Sequence, residues 1–154
     1  VSLTATDVCA GQSVTLTATP GLLAYTFITP LGTVNAGIPN TTTVVGLAAN
    51  TYSFTVTARH PTSFCSASAT AGATVSPAPT PTLTASPSTT LTCAQTSLTL
   101  TATGGTSYTF AGPGGGIVSQ NQTSGTAVIG AAGTYTVTVA NASGCRSTTT
   151  LTIS

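Results

Sequence analysis

Few residues in this chain can do chemistry. They are four cysteines, Cys9, Cys65, Cys93 and Cys145, one histidine, His60, one acid, Asp7, and two strong bases, Arg59 and Arg146. Four thiols allow three pairings. The spacing repeats, because Cys9 and Cys93 open matching segments and Cys65 and Cys145 fall at matching places further on. The pairs Cys9–Cys65 and Cys93–Cys145 are therefore expected. Each would close a loop of more than fifty residues, which the chain-entropy model values at roughly 4 kcal/mol. A metal centre would need Cys or His at short spacing, and the chain has no such cluster. Disulfides in turn imply an oxidising, extracellular location.

A Cys9–Cys65 bridge would draw Asp7 toward Arg59 and His60. An Asp7–Arg59 ion pair on the surface is the expected result, worth about 0–1 kcal/mol. The sharper reading is a Ser-His-Asp triad using Ser63 or Ser66. It has no nucleophile elbow or oxyanion hole to support it, and neither the acid nor the histidine recurs in the second half of the chain. No catalytic residue is expected. Calcium sites need several carboxylates. The run "GPGGG" at 112–116 lacks the Lys and the following helix of a phosphate loop, and reads as a flexible turn. No cofactor or metal is expected.

Only 2% of the residues are charged, against about a quarter in an ordinary soluble domain. Nucleic-acid binding by phosphate neutralisation needs several Lys or Arg, and a polybasic membrane contact needs the same. Neither partner is expected. Mean hydropathy is positive, yet no apolar run reaches the 18 residues of a membrane span, so no direct membrane insertion is expected. Val1 begins in strand-like sequence, and any signal peptide is expected to have been removed.

The elements that must position these residues repeat. "CAGQSVTLTATPG" from Cys9 matches "CAQTSLTLTATGG" from Cys93, "AYTF" matches "SYTF", and "NTYSFTVTA" matches "GTYTVTVAN". The repeat is about 80 to 84 residues long. Thr makes up about a quarter of the chain, and its branched Cβ suits a pleated strand better than a helix. Within each copy the alternation has period two. Val14, Leu16 and Ala18 oppose Thr15, Thr17 and Thr19; Leu98, Leu100 and Ala102 form the matching set. Tyr52, Phe54 and Val56 oppose Ser53, Thr55 and Thr57, as Tyr135, Val137 and Val139 oppose Thr136 and Thr138. Apolar faces of this kind pack on a core while hydroxylated faces meet water. The pattern predicts an all-β chain of two tandem immunoglobulin-like β-sandwich domains, about seven strands each, at 1–76 and 83–154. A Pro-rich linker at 77–82 joins them, expected as an extended, semi-rigid spacer.

Asn40, Asn121 and Asn141 begin N-x-S/T sequons in expected surface turns, so each is a candidate glycosylation site. O-linked sugars on Thr and Ser are a further candidate. Thr-x-Thr triplets are reminiscent of ice-binding surfaces, but they fall on separate strands without a short solenoid period, so ordinary outward faces account for them.

The stretch "TASPSTTLTCAQTSLTLTATGGTSYTF", followed by "AAGTYTVTVANASGCRSTTTLTI", resembles the tandem Ig-like (PKD-like) repeats of large secreted surface adhesins of Bacteroidota-type bacteria. The second copy resembles them over nearly its whole length, the first more loosely. The resemblance implies a cell-surface stalk, adhesin or filament exported by type IX secretion, and no enzyme activity. The Trp of antibody domains is missing and the cysteines sit elsewhere, so the likeness is Ig-like in the broad sense. Such proteins end in a sorting domain that this stretch lacks, which makes the chain an expected excerpt or processed subunit.

The leading expectation is a structural module of an extracellular adhesive fibre, stalk or filament, with neighbouring copies of the module as partners. A second is a complete subunit of a non-covalent filament joined by β-strand addition, in which deleting residues 1–5 would abolish assembly. A third is a carbohydrate-binding accessory module of a secreted enzyme, with surface glycans as ligand. Its usual mark is an exposed aromatic platform, for which Phe64 is the main candidate.

Overall fold

The computed structural model describes all 154 residues. It contains fifteen strands and no helix. The chain divides into two compact units, Val1–Pro77 and Ala78–Ser154.

The first unit has eight strands: β1 (Leu3–Ala5), β2 (Val8–Cys9), β3 (Val14–Ala18), β4 (Leu23–Thr29), β5 (Gly32–Gly37), β6 (Thr41–Val44), β7 (Asn50–Arg59) and β8 (Ser66–Ser76). They form a three-stranded sheet, β1-β3-β6, and a five-stranded sheet, β2-β8-β7-β4-β5. The period-two pattern decides which side chains meet. Val14, Leu16, Phe27, Phe54 and Val56 are fully buried between the sheets. Thr rows lie outside, such as Thr4, Thr17 and Thr41 on three neighbouring strands. Cross-strand Thr pairs of this kind add about 0.2–1 kcal/mol each.

The first strand changes sheets. β1 pairs antiparallel with β3, and after Thr6 and Asp7 the chain joins β8 in parallel through Val8 and Cys9. Asp7 sits at the crossing, where its Oδ1 accepts the Thr74 N–H at 2.7 Å. The only carboxylate thus satisfies a backbone donor that the ladder leaves open.

The second unit has β9 (Thr82–Ser86), β10 (Leu98–Thr103), β11 (Ser107–Ala111), β12 (Ile117–Asn121), β13 (Thr126–Ile129), β14 (Gly133–Ala140) and β15 (Arg146–Ile153). The sheets are β12-β13-β10-β9 and β11-β14-β15. Leu98, Leu100, Ile129, Tyr135, Val137 and Val139 fill the space between them. Residues 77–81 carry no regular structure.

The units differ in their fifth and fourth strands. β5 pairs with β4, whereas its counterpart β12 pairs with β13. Turn chemistry explains the switch. In the first unit "TPLG" closes a tight hairpin after β4: Thr29 Oγ1 donates to Gly32 O at 2.8 Å and accepts the Leu31 N–H at 3.2 Å. In the second, the tight turn comes one strand later. There Asn121 Oδ1 accepts the N–H groups of Thr123 and Ser124, each at 3.0 Å, and β12 folds onto β13.

Candidate functional site

The reactive residues lie at opposite ends of their units. Cys9 is paired with Ser76, the last residue of β8, and Cys65 immediately precedes Ser66, the first. The 11 residues of β8 span roughly 36 Å, while a disulfide holds its Cα atoms within about 7 Å. The second unit repeats this. Cys145 immediately precedes β15. Cys93 lies near the far end, because the Leu91 N–H donates to Ser154 O at 2.7 Å. The expected Cys9–Cys65 and Cys93–Cys145 bridges therefore do not form. Cys9 and Cys145 are disulfide-bonded, and Cys65 and Cys93 are exposed free thiols. The spacing correctly marks equivalent cysteines. It does not reveal that β2 runs parallel to β8, which carries Cys9 to the end remote from the β7–β8 turn.

The same strand separates Asp7 from the bases. Arg59 lies opposite Ser66, eight positions along β8 from the Thr74 that Asp7 holds. The expected Asp7–Arg59 ion pair is not made, and Asp7, His60, Ser63 and Ser66 do not assemble as a triad. His60 instead shapes the β7–β8 turn. Its Nδ1 lies 3.1 Å from Thr62 Oγ1 and accepts the Thr62 and Ser63 N–H groups at 3.4 Å. In the second unit Asn141 does this work, its Oδ1 accepting the N–H groups of Ser143 and Cys145 at 3.1 and 3.0 Å. No three His, Cys, Asp or Glu side chains gather as a metal site would require. No helix is long and apolar enough to cross a membrane.

All four tyrosines are tied to the backbone. Tyr52 and Tyr135, at matching places, donate to Ala48 O at 2.9 Å and Ala131 O at 2.7 Å. This is the bond of a tyrosine corner, which fixes the entry to the strand. Tyr25 donates to Thr19 O at 2.6 Å, and Tyr108 to Gly105 O at 2.7 Å. Phe27, Phe54 and Phe110 are buried. Phe64 alone among the aromatics is largely exposed, at 61%, and the Arg59 guanidinium lies 5.8 Å from its ring centre.

The run at 112–116 has a packing role that its sequence hides. A Cβ on Gly112 would come within 2.4 Å of the Tyr135 ring, and one on Gly116 within 2.5 Å of its hydroxyl. Missing side chains let this loop lie against the ring. Composition alone could show only a turn.

Two features of the surface suit contact with other molecules. The first unit exposes Leu31, Val34 and Val45 around a groove of about 220 Å³ between the β4–β5 hairpin and β6. No charged residue guards β5 or β6, although charge is the usual protection of a sheet edge. β1 itself is not a free strand, since it pairs with β3 and buries Leu3. Of the sequons, Asn40 uses its Nδ2 to donate to Ala18 O at 2.8 Å.

No family model matches the chain, and no curated protein does. Solved structures do. The fibronectin(III)-like modules of Clostridium thermocellum CbhA are similar over 97% of this chain and 90% of theirs, with a TM-score of 0.51 and 14% identity. A 282-residue C-terminal fragment of intimin, in complex with the intimin-binding domain of its translocated receptor, aligns with 97% of this chain at 20% identity and a TM-score of 0.48. The chain spans 61% of that fragment. Titin domains I67–I69 align with 97% of the chain at 17% identity and a TM-score of 0.43. The two-sheet units and the match to the CbhA modules give the fold as an immunoglobulin/fibronectin-III-like pair of β-sandwiches.

Proposed function

We propose that this chain is a structural, non-catalytic module of an extracellular adhesive fibre, stalk or filament, of the kind built by large secreted surface adhesins of Bacteroidota-type bacteria and exported by type IX secretion. The observation that carries this reading is where the chemistry-bearing groups are used. Asp7 holds Thr74, His60 holds its turn, and four tyrosine hydroxyls hold the backbone. The lone carboxylate, the lone imidazole and the four phenols are committed to holding the backbone of the two sandwiches. Long antiparallel pairs, β7 with β8 and β14 with β15, run the length of each unit. Antibody labelling of intact source cells tests the reading. Label along surface fibres or stalks is expected, and label confined to a soluble secreted enzyme contradicts it.

The open edge of β5 favours a second reading, strand addition between neighbouring copies. Deleting residues 1–5 would damage the unit's own sheet, so the sharper test is on the edge. Val34→Lys adds a charge at a partly exposed position. If strands add at β5, this variant stays folded but loses assembly by electron microscopy. Unchanged fibres exclude the edge.

Carbohydrate recognition is the weaker alternative, because Phe64 is a single ring already faced by Arg59. Glycans on the protein itself are a separate proposal. They are expected at Asn121 and Asn141 in preference to Asn40, where attachment would break the bond from Nδ2 to Ala18 O. Peptide mass spectrometry reads this directly, and preferential occupancy of Asn40 would contradict it.

A further inference from the structure

The four cysteines fall into two structural classes. Cys65 and Cys145 close the same turn. The carbonyl of Cys65 accepts the His60 N–H at 2.9 Å, and that of Cys145 accepts the Asn141 N–H at 3.0 Å. In each turn the preceding residue has a positive φ, 55° at Phe64 and 80° at Gly144. Cys9 and Cys93 open the matching segments "CAGQS" and "CAQTS", at the end of each unit where the last strand finishes. One cysteine of each class, Cys145 and Cys9, is disulfide-bonded. One of each class, Cys65 and Cys93, is an exposed free thiol.

The surroundings of the two free thiols also differ. Beside Cys65 stands Phe64, exposed and held at a φ that a large side chain rarely adopts. The matching residue in the other unit is glycine. Cys93 lies in an open groove of about 400 Å³, with Leu91, Thr92, Thr96 and Gly130. One thiol is accompanied by an exposed ring and the other by a shallow, open depression.

We propose that Cys65 of one copy of this chain forms a disulfide with Cys93 of a second copy, with Phe64 seated in the groove beside Cys93. The inference rests on the reading of the chain as a fibre module and names the joint between copies. The contact uses two different patches, so it is heterologous, and repeated from copy to copy it builds an open chain unless the rotation between copies closes it into a ring. The bond forms by thiol–disulfide exchange with a small-molecule disulfide such as oxidised glutathione. The Cys65 thiolate attacks that disulfide, giving a mixed disulfide and releasing one glutathione thiolate. The Cys93 thiolate of the second copy then attacks the Cys65 sulfur and releases the other. The two protein thiols are oxidised, and one glutathione disulfide is reduced to two thiols, which take up the two protons.

The test uses the whole chain, incubated with oxidised glutathione and run on gels without reductant. Wild type is expected to give a ladder of multiples of 14.9 kDa that collapses on reduction. Cys65→Ser alone and Cys93→Ser alone are expected to stay monomeric, and an equal mixture of the two to give one dimer. Phe64→Ala is expected to slow coupling by about tenfold, as loss of a buried aromatic contact would. Wild type that stays monomeric, a Cys65–Cys93 bond within one chain, or single variants that dimerise as well as the mixture would each overturn the proposal. Surface fibres whose Cys65 and Cys93 both react with an alkylating agent would also overturn it, while leaving the fibre reading intact.

Discussion

Tyr135→Ala is expected to remove a large part of the second unit's stability. The ring is fully buried, its hydroxyl donates to Ala131 O at 2.7 Å and Gly116 O at 3.3 Å, and the 112–116 loop is packed against it. Truncating a buried aromatic costs about 3–5 kcal/mol. A unit of this size holds roughly 4–12 kcal/mol in total. The loop would also lose the surface that orders it. Tyr135→Phe keeps the ring and gives up only the hydroxyl bonds, about 1 kcal/mol. Urea titration followed by circular dichroism separates the two. The Ala variant should show a collapsed midpoint for one transition, and the Phe variant a small shift. Equal losses in both variants would mean that the hydroxyl bonds, not the packing, hold the loop.

Gly104→Val should cost nearly as much, for a different reason. Gly104 sits at φ +100°, and a Cβ there would lie 2.2 Å from Thr80 O and 2.8 Å from its carbonyl carbon. Both neighbours are backbone, so no rotamer change relieves the clash. A β-branched residue adds strain of its own at positive φ. The variant is expected to lose roughly 2–4 kcal/mol and to lift Thr80 and Pro81 off the sheet. Thermal melting reads the first effect. Faster proteolysis within residues 78–82 reads the second. A variant as stable and as resistant as wild type would show that this close approach is not needed.

Much of the sandwich could be read from alternation alone. Val14, Leu16, Phe54, Leu100, Val137 and Val139 are buried because period two leaves them no other face in a strand. The repeat also marked equivalent positions correctly, down to Tyr52 and Tyr135 with their matching corner bonds. Spacing does not show which end of a strand Cys9 or Asp7 occupies. Cys9 and Cys65 are adjacent in the reasoning of spacing and separated by the whole of β8 in space. The expected Asp7–Arg59 pair depends on that bridge and is absent for the same reason: Asp7 holds Thr74, and Arg59 lies opposite Ser66 at the other end of β8. A parallel strand pairing of two residues decides these outcomes, and two residues carry no periodicity. The turn at Phe64 was hidden similarly. A positive φ is legible where the residue is glycine, as at Gly144, and not where it is phenylalanine.

The two exposed free thiols, Cys65 and Cys93, follow from the fold and not from the spacing, and the joint proposed between copies rests on them. The proposed joint and the proposed fibre role share one expectation, that the chain works as part of an extended assembly. Sedimentation velocity of the native material, before any denaturant or reductant, tests it most directly. The account predicts large, elongated particles many times the 14.9 kDa of one chain. A compact, monomeric particle of that mass would contradict it.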